Sequence, residues 1–399
     1  MDPIYITGSG IVSAIGIGKD ETLQSLQAAK TGIRQMKYLA SSHTELPVGE
    51  VQLSNEEMME MLGLEPSPKL SRTALIGSLA LKEALEEAGL EGLLNSVHFI
   101  SATTVGGMDR REIFHSEEKD CDREHAIIAT HNCASSTEMI ADCFGDFASV
   151  STVSTACSSA TNAIITGANM LRSGMAEIVV VGGSECLSMF HLNGFNALMI
   201  LDHQQCRPFD KDRNGLNLGE GAGYLVMETA ESVKKRHIQQ KFELSGYGNA
   251  CDAYHQTASS PEGTGAFLAM KEALEVAGLG TDDIQYINAH GTGTPNNDES
   301  ESCAIGRLFA DIPPTSSTKS FTGHTTSASG SIEAVICLLA LEHQFLPLNL
   351  NWHTPMENGF VPVCNQRPAR EIKHVLSNAF GFGGNDSSLV LSKCENGYE

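Results

Sequence analysis

Thr155-Ala156-Cys157-Ser158-Ser159 runs into small and apolar residues from Ala160 to Arg172, and Glu177-Ile178-Val179-Val180-Val181-Gly182-Gly183 follows. The last segment is a short apolar run ending in glycine, the pattern of a buried strand. The middle segment reads as a helix whose Ala160, Ala163, Gly167 and Ala168 allow close packing in an interior. Ser151 to Ala156 is a β-prone approach, so the order is strand, loop, helix, strand. The same alternation recurs outward. Ile284-Gln285-Tyr286-Ile287-Asn288 is a further strand, and Val375 to Asn378 and Ser388 to Leu391 bracket a glycine-rich turn. Arg72 to Ala88 and Gly265 to Ala277 read as amphipathic helices. Such alternation predicts α/β layers rather than a helical bundle or a sandwich.

The chain hints at a duplication. Thr155 to Ser159 opens onto a long helix, and Gly323-His324-Thr325-Thr326-Ser327 opens onto another, from Ile332 to Gln344. Two predicted helices end in Ala-Gly-Leu, at Ala88-Gly89-Leu90 and Ala277-Gly278-Leu279. Chance similarity between short loops is the competing explanation. The basic stretch Lys234-Lys235-Arg236 interrupts the apolar pattern, and the expected halves are residues 1–242 and 243–399. A length of 399 residues suits two domains or two fused halves.

Composition narrows the function. A net charge of −23 argues against nucleic acid or an anionic membrane as the main partner, though not against an acidic protein. The 11 cysteines are scattered without CxxC pairs, which gives a zinc or iron–sulfur reading little support. Only 19% of residues are charged, which fits either a large core or a surface buried in a partner. Met1-Asp2-Pro3 leads straight into the strand-like Ile4-Tyr5-Ile6-Thr7-Gly8, without a basic or apolar leader. No apolar run reaches transmembrane length, so no membrane insertion is expected. The expected location is the cytoplasm.

Four segments carry candidate chemistry. Cys157 lies at the start of a helix, whose dipole favours the thiolate, the form that attacks carbonyls. Any one cysteine is more commonly a small core residue, so this one needs a base nearby. His290 follows a strand within Asn288-Ala289-His290-Gly291-Thr292-Gly293-Thr294-Pro295, at the end of the strand where α/β sites lie. A phosphate loop competes there, but its Gly-Lys-Ser/Thr ending is absent. His324 closes Ser317-Thr318-Lys319-Ser320-Phe321-Thr322-Gly323-His324, beside a candidate buried lysine. Asn378-Ala379-Phe380-Gly381-Phe382-Gly383-Gly384-Asn385 exposes backbone N–H groups of the kind an oxyanion hole needs, or forms only a tight hairpin.

Together these segments resemble the elongating β-ketoacyl–acyl-carrier-protein synthases of the thiolase-like superfamily. The likeness spans nearly the whole chain, from Ile6-Thr7-Gly8-Ser9-Gly10 through Arg207-Pro208-Phe209-Asp210 and Gly219-Glu220-Gly221 to Phe380-Gly381-Phe382-Gly383-Gly384. It implies a duplicated five-layer α/β/α/β/α fold, usually dimeric. Cys157 is then expected to take an acyl chain from the phosphopantetheine arm of an acyl carrier protein. His290 and His324 would hold malonyl thioester and its enolate, with Lys319 in electrostatic support. The N–H groups of Cys157 and Phe382 would form the oxyanion hole, and Phe382 the gate. Thr292, Thr294, Val105 and Phe195 are implied to contact substrate or pantetheine, and Glu301 and Glu333 to support the site. Asn288, Glu333 and Asn378 are implied to hold a structural monovalent cation. No catalytic metal or cofactor is implied.

The sequence also departs from that family. The helix after His324 usually opens Leu-Leu-Gly-Ala-Ala-Gly, but here reads Thr325-Thr326-Ser327-Ala328-Ser329-Gly330. Asn385-Asp386 replace a usual Thr-Asn. Val105 stands where a larger isoleucine commonly gates the acyl pocket, and Met199 where a carrier-docking arginine is found, leaving Lys69 and Arg72 as docking candidates. The Pro295-Asn296-Asn297-Asp298 variant resembles synthases of bacterial aryl-polyene-type pathways. Ordinary fatty-acid elongation and a specialised polyene or polyketide pathway both stay open, as do a homodimer and a heterodimer with a ketosynthase-like subunit. A Cys–His thioester hydrolase is the competing activity.

Overall fold

The computed structural model describes residues 2–67, 70–110, 112 and 132–394. Its first part contains β1 (Ile4–Ser13), a short β2 (Gly16–Ile17), β3 (Val97–Ala102), β4 (Ser149–Val153), β5 (Ile178–Glu185) and β6 (Gly221–Thr229). The second part contains β7 (Phe242–Cys251), β8 (Tyr286–Asn288), β9 (Thr315–Ser316), β10 (His374–Gly381) and β11 (Asn385–Lys393). The strands lie in the order β4-β3-β5-β6-β1-β7-β11-β10-β8-β9, and β2 pairs only with β1.

That order is a repeat. With β2 set aside, the first five strands run third, second, fourth, fifth, first, and the last five run first, fifth, fourth, second, third. The directions match too. The third, second and fourth strands are mutually parallel in each part. The fifth is antiparallel to both the fourth and the first. Between the parts, β1 and β7 share only the pairs Tyr5–Glu243 and Ile6–Phe242, so one narrow link joins a first sheet, β1 to β6, to a second, β7 to β11.

The helices repeat in step. Among those described are α1 (Lys19–Gln27), α2 (Asn55–Leu62), α3 (Arg72–Ala88), α4 (Cys133–Asp142), α5 (Ser159–Arg172) and α6 (Met189–Ala197). Then come α7 (Ala230–Arg236), α8 (Thr264–Ala277), α9 (Pro295–Leu308), α10 (Lys319–Thr322) and α11 (Ser329–His343). Each Ala-Gly-Leu ending caps an equivalent helix, α3 or α8, between the first and second strands of its part. Gly89 and Gly278 adopt left-handed φ values of 61° and 67°. The N–H groups of Leu90 and Leu279 then close back onto Leu85 and Leu274. The strands beneath carry paired glycines for close approach. A Cβ on Gly10 would lie 2.0 Å from the Ala80 carbonyl oxygen, and one on Gly248 2.2 Å from that of Ala269.

Three apolar clusters mark the layers. One joins α3 to Val97, Phe99, Ile178 and Val180 on the outside of the first sheet. Another joins α8 and α9 to Ile287, Leu376 and Val390 on the outside of the second. The central cluster holds α5 and α11 between the sheets, with Val179, Val181 and Leu391. Alternate valines of β5 therefore face different layers, which explains its unbroken apolar run. Burying each such side chain is worth about 1.5–3 kcal/mol. Residues Ser329 to Leu341 of α11 are all buried, as expected of a helix enclosed on every side. These layers form the expected α/β/α/β/α stack, and both catalytic-looking loops open onto its two central helices.

Candidate active site

The loop between β4 and α5 turns sharply. Ala156 has φ 53°, a left-handed value costly for a residue with a Cβ. Ser159 Oγ accepts from Thr155 N at 2.8 Å and donates to the Ala156 carbonyl at 2.5 Å, holding the turn. Asn162 Nδ2 adds a bond to Thr155 Oγ1 at 2.8 Å. Cys157 therefore enters the protein from a fixed backbone, and it is buried.

The helix-start argument is outweighed at this residue. Burial pushes the Cys157 thiol up to about 11, against the charge of Lys319 and the Phe382 N–H, which favour the thiolate. The resting group is a thiol. Its sulfur lies 3.0 Å from His324 Nε2. Burial first, then Lys319 and His191, hold His324 well below its ordinary range, so the imidazole is neutral. A thiol and a neutral base are in contact.

His290 stands beside them, its ring 5.3 Å from that of His324 at an angle of 84°. The loop after β8 is fixed by Glu301 of α9, which accepts from His290 N at 2.8 Å and Gly291 N at 2.7 Å. Asn378 Nδ2 donates to the same carboxylate at 3.1 Å. Burial pushes Glu301 up to about 7. His290 is also held well below its ordinary range by burial, with Lys319 and His324 adding to the effect. Lys319 Nζ lies 3.3 Å from His290 Nδ1 and 2.5 Å from Glu333 Oε1. An ammonium donating to Nδ1 leaves the ring proton on Nε2. Burial pushes Glu333 up to about 7, opposed by Lys319.

A cavity of about 240 Å³ opens over this group, lined by Cys157, His290, His324, Phe195, Phe380 and Phe382 together with Thr292 and Thr294. The two threonine hydroxyls are 2.8 Å apart. The rings of Phe195 and Phe382, both in this lining, stack at 5.9 Å and 18°. The structure thus brings together Cys157, His290, His324, Lys319, Phe382, Thr292, Thr294, Phe195, Glu301 and Glu333.

Two expected residues fall elsewhere. Val105 is buried but does not line this cavity; its loop is bound by Glu185, which accepts from the Thr103 and Thr104 hydroxyls and the Thr104 N–H. Arg72 is not a docking cation. It is buried, and its five N–H groups go to Glu220, Val51 O, Leu53 O and Asn55 Oδ1, with Glu220 at 2.6 Å. Lys69 lies outside the described residues.

For a cation near Asn288, Glu333 and Asn378 the fit is partial. Asn288 Oδ1 and Glu333 Oε2 are buried oxygens without a hydrogen-bond partner, the donor type that alkali cations take. Asn378 Oδ1 already accepts from Ser388 Oγ at 2.8 Å. Among the described residues no cluster of three His, Cys, Asp or Glu suits a metal.

Sequence reasoning flagged two polar departures without seeing their targets. Asn385 Oδ1 accepts from Ser158 Oγ at 2.7 Å, Asn162 Nδ2 at 2.6 Å and Asn249 Nδ2 at 3.2 Å. It thereby ties the Phe382 turn to the Cys157 loop. Ser327 Oγ donates to Glu185 at 2.6 Å, and Ser329 Oγ lies 3.0 Å from His324 Nδ1. Glu185 and Phe380 carried no signal in the sequence beyond their place in a strand or turn.

Comparison with known proteins settles the family. The profile of the β-ketoacyl synthase N-terminal domain matches residues 1–232, and that of the C-terminal domain residues 242–353. The chain belongs to the β-ketoacyl synthase family. It is accordingly a condensing acyltransferase. This synthase is 34% identical to the 3-oxoacyl-[acyl-carrier-protein] synthase 2 of Coxiella burnetii, over 98% of each chain. It is 31% identical to the protein of the same name from Staphylococcus aureus (strain COL), again over 98% of each. Among solved structures it resembles the ishigamide ketosynthase/chain length factor, with TM-score 0.92 and 29% identity over 99% of this chain and 100% of that one. The ketosynthase ApeO in complex with its chain length factor ApeC, from Xenorhabdus doucetiae, gives 0.86 and 30% over 98% of each.

Proposed function

We propose that this synthase loads an acyl chain from acyl carrier protein onto Cys157 and condenses it with malonyl carrier to give 3-oxoacyl carrier. The observation that carries the reading is the contact of Cys157 Sγ with His324 Nε2 at 3.0 Å, beside a second neutral histidine. In the first half-reaction His324 takes the thiol proton and the sulfur attacks the acyl thioester. The bond to the pantetheine sulfur breaks, and that sulfur leaves with the proton. In the second, malonyl loses CO2 and its enolate attacks the acyl carbonyl, breaking the bond to Cys157. The released sulfur regains a proton from solvent.

Nε2–H groups of His290 and His324 are suited to the enolate oxygen, and backbone N–H groups of Cys157 and Phe382 to the acyl oxyanion. Lys319 orients His290 and adds to burial in keeping both rings neutral. Thr292 and Thr294 line the approach of the pantetheine arm, and Phe195 with Phe382 forms its gate. Asn288 Oδ1 and Glu333 Oε2 are the oxygens a monovalent cation would take. Residues 1–242 and 243–399 are taken as the two halves, a division supported by the repeated strand order. Free cysteines such as Cys157, Cys186 and Cys206 fit a reducing compartment such as the cytoplasm.

A specialised pathway, in which this chain is the active partner of a chain length factor, is favoured by its likeness to ketosynthase/chain length factor structures. The test is elongation by the purified chain, alone and with such a factor, on saturated and polyenoyl carriers. Chain growth coupled to CO2 release supports the synthase. Release of free acid without growth points to the hydrolase. Equal turnover of saturated chains by the chain alone removes the specialised reading.

A further inference from the structure

We infer that Ser329 is a positioning residue that lets His324 serve both half-reactions by holding either of its neutral tautomers. The inference rests on the function proposed above. Ser329 is the first residue of α11, buried, with Oγ 3.0 Å from His324 Nδ1 and 3.3 Å from Thr325 Oγ1. Both hydroxyls stand where the family pattern usually has Ala and Leu. They form a short polar chain, Thr325–Ser329–His324–Cys157, through otherwise close-packed surroundings.

The two half-reactions make opposite demands on Nε2. To take the proton of Cys157, Nε2 must be a bare lone pair, so the ring hydrogen sits on Nδ1 and requires an acceptor there. To donate to an enolate, Nε2 must carry the hydrogen, so Nδ1 is the lone pair and is best served by a donor. A backbone N–H at Nδ1 can only donate, and a carbonyl can only accept. A hydroxyl does both by rotating about its C–O bond. In the first state Ser329 Oγ accepts from Nδ1–H. In the second it donates to Nδ1 while Thr325 Oγ1 donates to it. Because Cys157 rests as a thiol rather than a thiolate, the first state is required and not merely available.

Loss of the hydroxyl is not symmetrical. A buried N–H without an acceptor is avoided more strongly than a buried lone pair without a donor. Ser329→Ala therefore favours the tautomer with hydrogen on Nε2, which impairs loading of Cys157 and spares the enolate step. Single-turnover acyl transfer to Cys157, followed by mass of the acyl-enzyme, should slow about tenfold, the scale of one lost buried hydrogen bond. Decarboxylation of malonyl carrier by pre-acylated enzyme should change less than about threefold. Ser329→Thr keeps the hydroxyl and should restore loading. In the unaltered protein, 15N shifts of His324, assigned by difference against His324→Ala, should show Nδ1 protonated at rest. Unchanged loading in Ser329→Ala, equal slowing of both half-reactions, or a resting His324 protonated only on Nε2 would each overturn the inference. Absence of chain growth by the unaltered protein would instead count against the proposed function.

Discussion

His324→Ala isolates the proton-transfer step. Cys157 has its thiol pushed up to about 11 by burial, so near pH 7 only about one molecule in 10⁴ carries a thiolate without help. The neutral imidazole at 3.0 Å removes that obstacle by accepting the proton during attack. Positioned general bases contribute about 10²–10⁴-fold, which is the loss expected for acyl transfer in the variant at neutral pH. The variant should also acquire a new pH dependence. Its loading rate should rise about tenfold per pH unit until the thiol titrates, whereas the unaltered enzyme should be nearly flat above neutrality. Rapid-quench mass spectrometry of the acyl-enzyme gives the rate. Alkylation of Cys157 by iodoacetamide across pH gives the thiol titration independently. A thiol that titrates below pH 8 in the unaltered protein would refute the reasoning, since His324 would then have nothing to do in loading. Wild-type loading by His324→Ala at pH 7 would refute it equally.

Three other perturbations follow from the same geometry. His290→Ala keeps the Cys157–His324 contact, so it should load normally yet lose about 10²–10³-fold in condensation, the usual effect of one missing oxyanion donor; a loading defect of the same size would contradict the division of roles. Arg72→Ala leaves Glu220 buried without its partner and should cost about 3–5 kcal/mol in denaturant unfolding. A stable variant with weakened carrier binding would instead restore a docking role. Between pH 8 and about 6 neither imidazole should contribute a step to loading, because both titrate well below the ordinary histidine value of about 6.5, whereas Glu301 and Glu333 are pushed up to about 7 by burial. A single-turnover loading step near 6.5 that persists in both Glu301→Gln and Glu333→Gln would contradict the neutral imidazoles.

Much of this was legible in the chain, for definite reasons. Strand β5 announces itself because it is covered on both faces, and a doubly covered strand has no polar alternation to hide it. The Ala-Gly-Leu endings are legible because left-handed caps demand glycine. Cys157, His290 and His324 stand in loops, and Lys319 at the start of the short α10, where small neighbouring residues are forced by close approach. Arg72 illustrates what is not legible. An arginine at a helix start reads as a surface cation until Glu220, 148 residues later, is folded against it. Ser329 belongs to the same class, since its hydroxyl gains meaning only from the ring it touches. The helix-dipole argument for Cys157 failed differently. Its sign was right, but the sequence gives no measure of burial, and burial is the larger effect.

That larger effect bears on how the site handles charge. A thiolate–imidazolium pair would suit a partly exposed nucleophile, but here burial opposes both the thiolate and the imidazolium, and Lys319 further opposes the imidazolium. The neutral pair is therefore the resting state, and negative charge enters only with the reaction. Glu333 stands behind Lys319 at 2.5 Å and Glu301 holds the His290 backbone, so the carboxylates sit on the far side of the groups they support. What faces the cavity is a thiol and two neutral imidazoles, with no carboxylate in the lining. Such an arrangement gains little from binding a neutral thioester and much from an enolate or tetrahedral oxyanion, which is the difference that accelerates a reaction. The same reasoning explains why a lysine is buried at all. Its charge need not touch substrate; added to burial, it holds both histidines neutral, so that His324 can accept the Cys157 proton without first losing one.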